Sequence, residues 1–219
     1  IKEDYLRALR YIRFFLNYSK YKHNPKVIKI IKKNLNGISG ISSERLLDEF
    51  KKLLKSKGFS KLPKDKDCLE IINLIFPQLK NISLFGKLND FAKKNFSKVD
   101  FIFLLSLLVI DGTDNVDYFL YKFNLSKKDE KRILFLNNFY STKLTNKTFL
   151  EKNLNKFFYY YGRETLMDII YFKVFKSNKI DNKLIKLIKI FEKKEIPIMP
   201  IKANILIKKY QIEEGKELG

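Results

Sequence analysis

Residues 3–14 read Glu-Asp-Tyr-Leu-Arg-Ala-Leu-Arg-Tyr-Ile-Arg-Phe and set the pattern for the whole 219-residue chain. The apolar residues of this region recur at steps of three and four: Leu6, Leu9, Ile12, Phe15 and Leu16. That spacing places them on one face of an α-helix, whereas a strand would need alternation. The pattern therefore predicts a helix from about Lys2 to Tyr18.

The same helical period continues along the rest of the chain, and capping signals separate the segments. Asn24 followed by Pro25 is typical of a helix start, as is Ser42 or Ser43 before the next apolar stripe. Further helices are expected near residues 68–79, 87–96, 100–110, 114–123, 126–140, 148–160, 164–176, 181–194 and 203–210. We therefore predict an all-α fold, an irregular multi-helix array with no sheet.

Two polar stretches suggest a division of the chain into three parts. Residues 61–67 are rich in charge and contain Pro63, and residues 141–147 are polar throughout. The predicted units are residues 1–60, 61–146 and 147–219.

The chain is strongly basic, which bounds the class of partner. Lysine and arginine total 45 against 24 acidic residues, so the net charge is +21 and the isoelectric point is near 9.8. Such a field favours a polyanion, whether RNA, DNA or an anionic membrane. Much of the excess positive charge comes from lysine, a residue that an AT-rich genome encodes by default. Arginine is therefore the better indicator of a specific binding site. Three of the six arginines lie in the first helix: Arg7, Arg10 and Arg13.

Single copies of cysteine and histidine limit the chemistry. With only Cys68 and His23, we expect no disulfide, no zinc site, no Cys-His nucleophile and no serine triad. A reducing, cytoplasmic location fits this composition. The longest apolar run, residues 101–110, is too short to span a bilayer, so no membrane partner is expected. The chain begins with Ile instead of Met, and we expect it to be a processed product or a fragment.

The first helix also carries a constellation that can recognise a nucleobase. Asp4, Arg7 and Arg10 follow one another at i, i+3 spacing and share a ridge. A carboxylate that accepts from an exocyclic amine, beside a guanidinium that donates to a ring nitrogen, selects adenine and cytosine over guanine and uracil. The alternative is an ordinary surface ion pair worth about 0.3–0.5 kcal/mol.

A second motif follows about thirty residues after the first. Residues 38–50 read Ile-Ser-Gly-Ile-Ser-Ser-Glu-Arg-Leu-Leu-Asp-Glu-Phe. Together the two stretches resemble motifs D and E of the class II tRNA nucleotidyltransferases, the family that also contains bacterial poly(A) polymerases. The resemblance implies a nucleotide-binding set of Asp4, Arg7 and Arg10. It implies a supporting set of Glu3, Arg13, Glu44, Arg45 and Glu49, which fixes that ridge.

The resemblance also implies an organisation. Residues 1–60 would be the neck, residues 61–146 the body and residues 147–219 the tail, and the catalytic head of the family would precede them. In that head a pair of aspartates holds magnesium for the transfer of nucleotides from ATP or CTP. We therefore predict no catalytic residue and no metal site in this chain; Asp111, Asp114 and Asp117 are interpreted as solvated helix-start acids.

The implied partner is RNA, most specifically the tRNA acceptor arm, held by phosphate contacts and by shape. Phe157, Phe158, Tyr159, Tyr160 and Tyr161 are candidates for stacking, although we expect most of them in the core. The parent activity is predicted to be the addition of C and A to tRNA 3′ ends. Three alternatives remain open: a poly(A) polymerase, a non-catalytic helical RNA-binding protein, and a helical scaffold whose charge reflects genome composition.

Overall fold

The computed structural model describes residues 6–142, 146–195 and 207, and in this part of the chain it contains helices and no strand. The all-α prediction is confirmed. The α-helices are α1 (Arg7–Tyr18), α2 (Pro25–Lys33), α3 (Ser43–Leu54), α4 (Lys66–Ile75), α5 (Asp90–Asn95), α6 (Phe101–Val109), α7 (Asn115–Lys122), α8 (Lys127–Ser141), α9 (Glu151–Lys176) and α10 (Asn182–Lys193). Short 3-10 helices connect several of them.

Side-chain caps define most helix starts. Asn24 accepts a hydrogen bond from the Lys26 amide and Pro25 occupies the first turn of α2, as the sequence predicts. Ser42, and not Ser43, caps α3 by accepting from the Arg45 amide. Each cap satisfies a backbone donor that the first helical turn leaves unpaired.

The core is one continuous cluster of buried apolar side chains that extends from α1 to α10. At its centre lies α6, whose residues are buried on nearly every side because α3, α7, α8 and α9 all pack against it. Phenylalanine fills much of this interior; the ring centroids of Phe50 and Phe76, for example, are 4.9 Å apart. No helix in the described residues is both long enough and apolar enough to cross a bilayer.

The first predicted boundary, residues 61–67, overlaps a segment that is partly buried. A 3-10 helix, Lys57–Lys64, places Phe59 and Leu62 in the core. Gly58 approaches the backbone of α1 closely: a Cβ atom there would lie 2.7 Å from the carbonyl carbon of Leu16. This contact fixes α1 against the 3-10 helix. The division into three domains stays a prediction.

Two helices expected near residues 148–160 and 164–176 are joined in α9. Gly162, with φ of 76° and ψ of 179°, interrupts the helical backbone between the two halves. Only glycine adopts such a conformation without strain, so the break is encoded at this residue. Except for residue 207, the helix predicted near residues 203–210 lies outside the described residues.

Candidate functional site

The apolar face of α1 packs against the rest of the protein, and its arginines lie on the sides that face away from this contact. Leu9, Ile12 and Leu16 are buried against α3 and the 3-10 helix at residues 57–64. Arg7 is exposed, while Arg10 and Arg13 are half-buried. The order of exposure follows from the helical pitch, because Arg13 lies nearest to α3.

One buried carboxylate contacts two of the three arginines on α1. Glu49 of α3 is only 3% exposed, and Arg13 contacts its Oε1 through Nε at 2.9 Å and Nη2 at 2.7 Å. The other oxygen, Oε2, lies 3.5 Å from Nε of Arg10 and 3.5 Å from Nζ of Lys52. A carboxylate removed from water needs such compensation, and its position in turn restricts both guanidinium groups.

The predicted set is therefore only partly brought together among the described residues. Glu49 joins Arg10 and Arg13, whereas Glu44 and Arg45 lie exposed in the first turn of α3. Glu3 and Asp4 lie outside the described residues, so the pairing of Asp4 with Arg7 stays a prediction.

Arg7, Arg10 and Arg13 form what we call the arginine ridge of α1. Exposed aromatic rings continue from this ridge along the helix, and they were not among the predicted site residues. Phe14 is 52% exposed and Tyr18 is 76% exposed, with ring centroids 6.1 Å apart and planes 30° from parallel. The guanidinium carbon of Arg13 lies 4.7 Å from the centroid of the Phe14 ring. Their i, i+4 spacing away from the apolar stripe is the sequence signal that could have identified them.

We call this surface of Arg7, Phe14 and Tyr18 the outer face of α1. At 100° per residue, positions 7, 14 and 18 fall within about 40° of one another. The surface therefore combines a guanidinium at one end with two rings toward the other.

A second group of exposed rings lies on α9. Of the five aromatics at residues 157–161, Phe158 is buried and Phe157 is half-buried, but the three tyrosines are exposed. The expectation that most of the five lie in the core is therefore wrong. Tyr161 still contacts α8, since its ring centroid lies 5.1 Å from that of Phe135.

A charged network ties α9 to α8 and α6. Arg132 donates from Nη2 to Oδ1 of the buried Asp168 at 2.8 Å, and it also forms an ion pair with Asp100, the cap of α6. Partial burial opposes ionisation of Asp100, but the Phe103 amide and Arg132 outweigh it and hold its pKa below the ordinary value. No sequence motif indicated this role of Arg132.

The three aspartates at residues 111, 114 and 117 do not converge on a common point. Asp111 accepts hydrogen bonds from the Thr113 amide at 3.0 Å and the Thr113 hydroxyl at 2.7 Å, and all three carboxylates are exposed. In the described residues the grouping that could hold a metal ion lies elsewhere, at His23, Asp65 and Cys68.

Residues 21–83 match a protein family described as "Probable RNA and SrmB-binding site of polymerase A". The mitochondrial CCA tRNA nucleotidyltransferases 1 of Danio rerio and Homo sapiens are each 45% identical over 56 residues, which is 25% of this chain and 13% of theirs. These matches make the chain similar to the tRNA nucleotidyltransferase and poly(A) polymerase family, in agreement with the resemblance of its motifs.

A longer match points to the same family. The mitochondrial CCA tRNA nucleotidyltransferase 1 of Mus musculus is 29% identical over 148 residues, which covers 62% of this chain. The chain spans less than a third of these relatives' lengths, at most 31%. The matched residues, 21–83, contain α2, α3, α4 and the connections between them.

Proposed function

We propose that this chain is the RNA-binding and nucleotide-selecting part of an enzyme that adds C and A to tRNA 3′ ends. The observation that carries the proposal is the arginine ridge of α1, which contacts the buried carboxylate of Glu49. This ridge lies just before the matched residues 21–83, and Glu49 lies within them. A site that reads a base edge needs donors held in fixed directions, and a shared buried carboxylate restricts Arg10 and Arg13 in this way.

In this proposal Arg7 donates to the ring nitrogen of the incoming base and Asp4 accepts from its exocyclic amine. Adenine and cytosine present both partners at the required positions, whereas guanine and uracil present a carbonyl beside an N–H. Support for this role comes from Arg7, which is exposed and makes no hydrogen bond or ion pair with a described residue. Arg10, restricted by Glu49, would steady the neighbouring edge of the site.

The RNA is proposed to bind along the outer face of α1 and the lysine-rich surface of α2. Rings on α1 can stack on unpaired bases at an RNA 3′ end, because every base has a π-face. Lysines of α2, among them Lys26 and Lys29, are exposed and can neutralise phosphates. We propose that the bound RNA is the tRNA acceptor arm and that the protein is located in the cytoplasm.

Magnesium and ATP or CTP would be held by a catalytic head joined to this chain. Mg²⁺ prefers several hard oxygen ligands, and the separate exposed aspartates at residues 111–117 do not supply them. We therefore assign magnesium and the transfer step to that head and not to these aspartates. The same head and ridge would serve a poly(A) polymerase, which remains the second candidate because the matched family is described for polymerase A.

The test joins the chain to a family head and measures incorporation of each NTP onto tRNA that lacks its terminus. Asp4→Ala should erode the preference for A and C over G and U, and Arg7→Lys should do the same because it keeps the charge but loses the planar fork. An equal loss with all four nucleotides would show that these residues are structural. A product of repeated A would favour the poly(A) alternative over C-C-A addition.

A further inference from the structure

The only histidine and the only cysteine of the chain meet in the folded protein. His23, in the connection between α1 and α2, places Nε2 3.6 Å from Sγ of Cys68 in the first turn of α4. The same nitrogen lies 3.0 Å and 2.9 Å from the two carboxylate oxygens of Asp65, the cap of α4. An imidazole, a thiol and a carboxylate therefore converge, with the ligand atoms all within 4.8 Å of one another.

We propose that His23, Asp65 and Cys68 form a binding site for a divalent transition metal ion of the Zn²⁺ class. Zinc binds histidine nitrogen at about 2.0–2.1 Å, carboxylate oxygen at about 2.0–2.2 Å and thiolate sulfur at about 2.3 Å. Tetrahedral angles at those lengths separate ligand atoms by roughly 3.3–3.6 Å. The nitrogen to sulfur separation already has this value, and the nitrogen to oxygen separation needs to widen by a few tenths of an ångström.

The surroundings hold the histidine in the orientation that a ligand needs. The hydroxyl of Tyr11 lies 2.8 Å from Nδ1, and the ring of Phe15 stacks on the imidazole with centroids 3.5 Å apart. With Nε2 bound to a metal, Nδ1 carries the proton and donates to Tyr11. A partner of this kind on the second ring nitrogen is a regular feature of metal-binding histidines.

Burial and charge favour a soft divalent ion over magnesium or calcium. Cys68 is completely buried, and it gives up its proton when its sulfur binds the metal ion. Thiolate and carboxylate together neutralise a divalent charge. Sulfur and imidazole ligands select zinc, cobalt or nickel over the hard cations, which prefer oxygen.

A cleft lies beside the His23 ligand of the site. It has a volume of about 540 Å³, and His23, Lys32 and Asp67 are among the residues that line it. Water or a small anion from this cleft can take the fourth coordination position. Because the three ligands come from two separated parts of the chain, a bound ion would cross-link the connection after α1 to the start of α4.

The composition predicted no zinc site, because the chain contains only one cysteine and one histidine. Asp65 stands 42 residues from His23, so the sequence separation gives no sign that the two meet. The fold supplies the third ligand.

The experiment is a titration of the purified, metal-free chain with Co²⁺. We expect saturation at one ion per chain and a near-ultraviolet thiolate-to-cobalt charge-transfer band, which can come only from Cys68. Cys68→Ser should abolish that band, and Tyr11→Phe should weaken the affinity by about 10–100-fold. Asp67→Asn is the matched control, because Asp67 lines the cleft without joining the three ligands. It should bind cobalt as the wild type does.

Two further measurements keep the test decisive. Zn²⁺ should raise the melting temperature of the wild type and of Asp67→Asn but not that of Cys68→Ser. If Cys68→Ser does not fold, X-ray absorption of the zinc-loaded wild type should show one sulfur at about 2.3 Å. Cobalt binding without the charge-transfer band, or a zinc environment of nitrogen and oxygen alone, would overturn the proposal.

Discussion

Arg13 contacts one carboxylate oxygen of Glu49 through two nitrogens, at 2.9 Å and 2.7 Å, and so joins α1 to α3 across 36 residues of sequence. The carboxylate is buried, while the arginine remains 24% exposed. Glu49 therefore makes its attractive contacts mainly through protein groups, whereas the arginine also keeps contact with water. This difference in exposure sets how much the substitution of Glu49 should lower the free energy of unfolding.

Replacing Glu49 by Ala should destabilise the chain and loosen the arginine ridge. We expect the free energy of unfolding in urea to fall by about 1–3 kcal/mol, because charge-assisted hydrogen bonds are lost. The loss should stay below the roughly 3–5 kcal/mol of a fully buried pair, since the remaining arginines can reach water. Glu44→Ala is the control: its carboxylate is exposed on the same helix, and it should change stability by no more than about 0.5 kcal/mol. Equal effects of the two substitutions would contradict the bracing role.

The outer face of α1 should contribute to RNA binding through its rings. Phe14→Ala combined with Tyr18→Ala should weaken binding of single-stranded RNA 3′ ends by about 10-fold or more, since each stacked base is worth about 1–3 kcal/mol. Fluorescence anisotropy with a labelled RNA gives the affinity, measured at several salt concentrations.

Tyr118 and Tyr121 supply the comparison for that double substitution. They are exposed tyrosines on α7, at 63% and 91%, so their replacement by Ala removes similar rings from another surface. We expect no change in affinity. The salt dependence should stay the same in all variants, because no phosphate contact is removed. An unaltered affinity after the α1 substitutions would place the RNA elsewhere.

Local patterns predicted the fold well because helix starts and apolar stripes are encoded nearby. Asn24 with Pro25, and Ser126 with Asp129, begin helices where expected. Relationships between distant residues were not accessible in the same way: Arg132 reaches Asp168 across 36 residues, and His23 reaches Asp65 across 42. Glu49 was expected to support the ridge from the family motif, but the motif gave no indication that Glu49 would be buried while Glu44 and Arg45 remain exposed.

Asp100, the cap of α6, should make the free energy of unfolding of the chain depend on pH. Its pKa in the folded chain lies below the ordinary value, so its contribution is present above pH about 4 and is lost as the pH falls through the folded pKa. Asp100→Asn keeps a capping side chain but removes the charge. The stability difference from the wild type, measured by urea unfolding, should be at most about 1 kcal/mol at pH 7, because Asp100 is half exposed. It should shrink toward pH 3; a difference that grows on acidification would contradict the assignment.

Gly58 should tolerate no side chain, because it lies against the end of the helix that carries the arginine ridge. A Cβ atom there would meet the Leu16 carbonyl oxygen at 2.8 Å and the Asn17 nitrogen at 2.9 Å, both of them backbone atoms that cannot rotate away. The Gly58 amide also donates to the Asn17 side chain at 2.9 Å, so a shift would strain that bond as well. We expect Gly58→Ala to cost about 1–3 kcal/mol in urea unfolding. Gly40→Ala, where a Cβ would meet nothing within 4 Å, should cost little, and a similar loss at both positions would show that the close approach to α1 is not what limits residue 58.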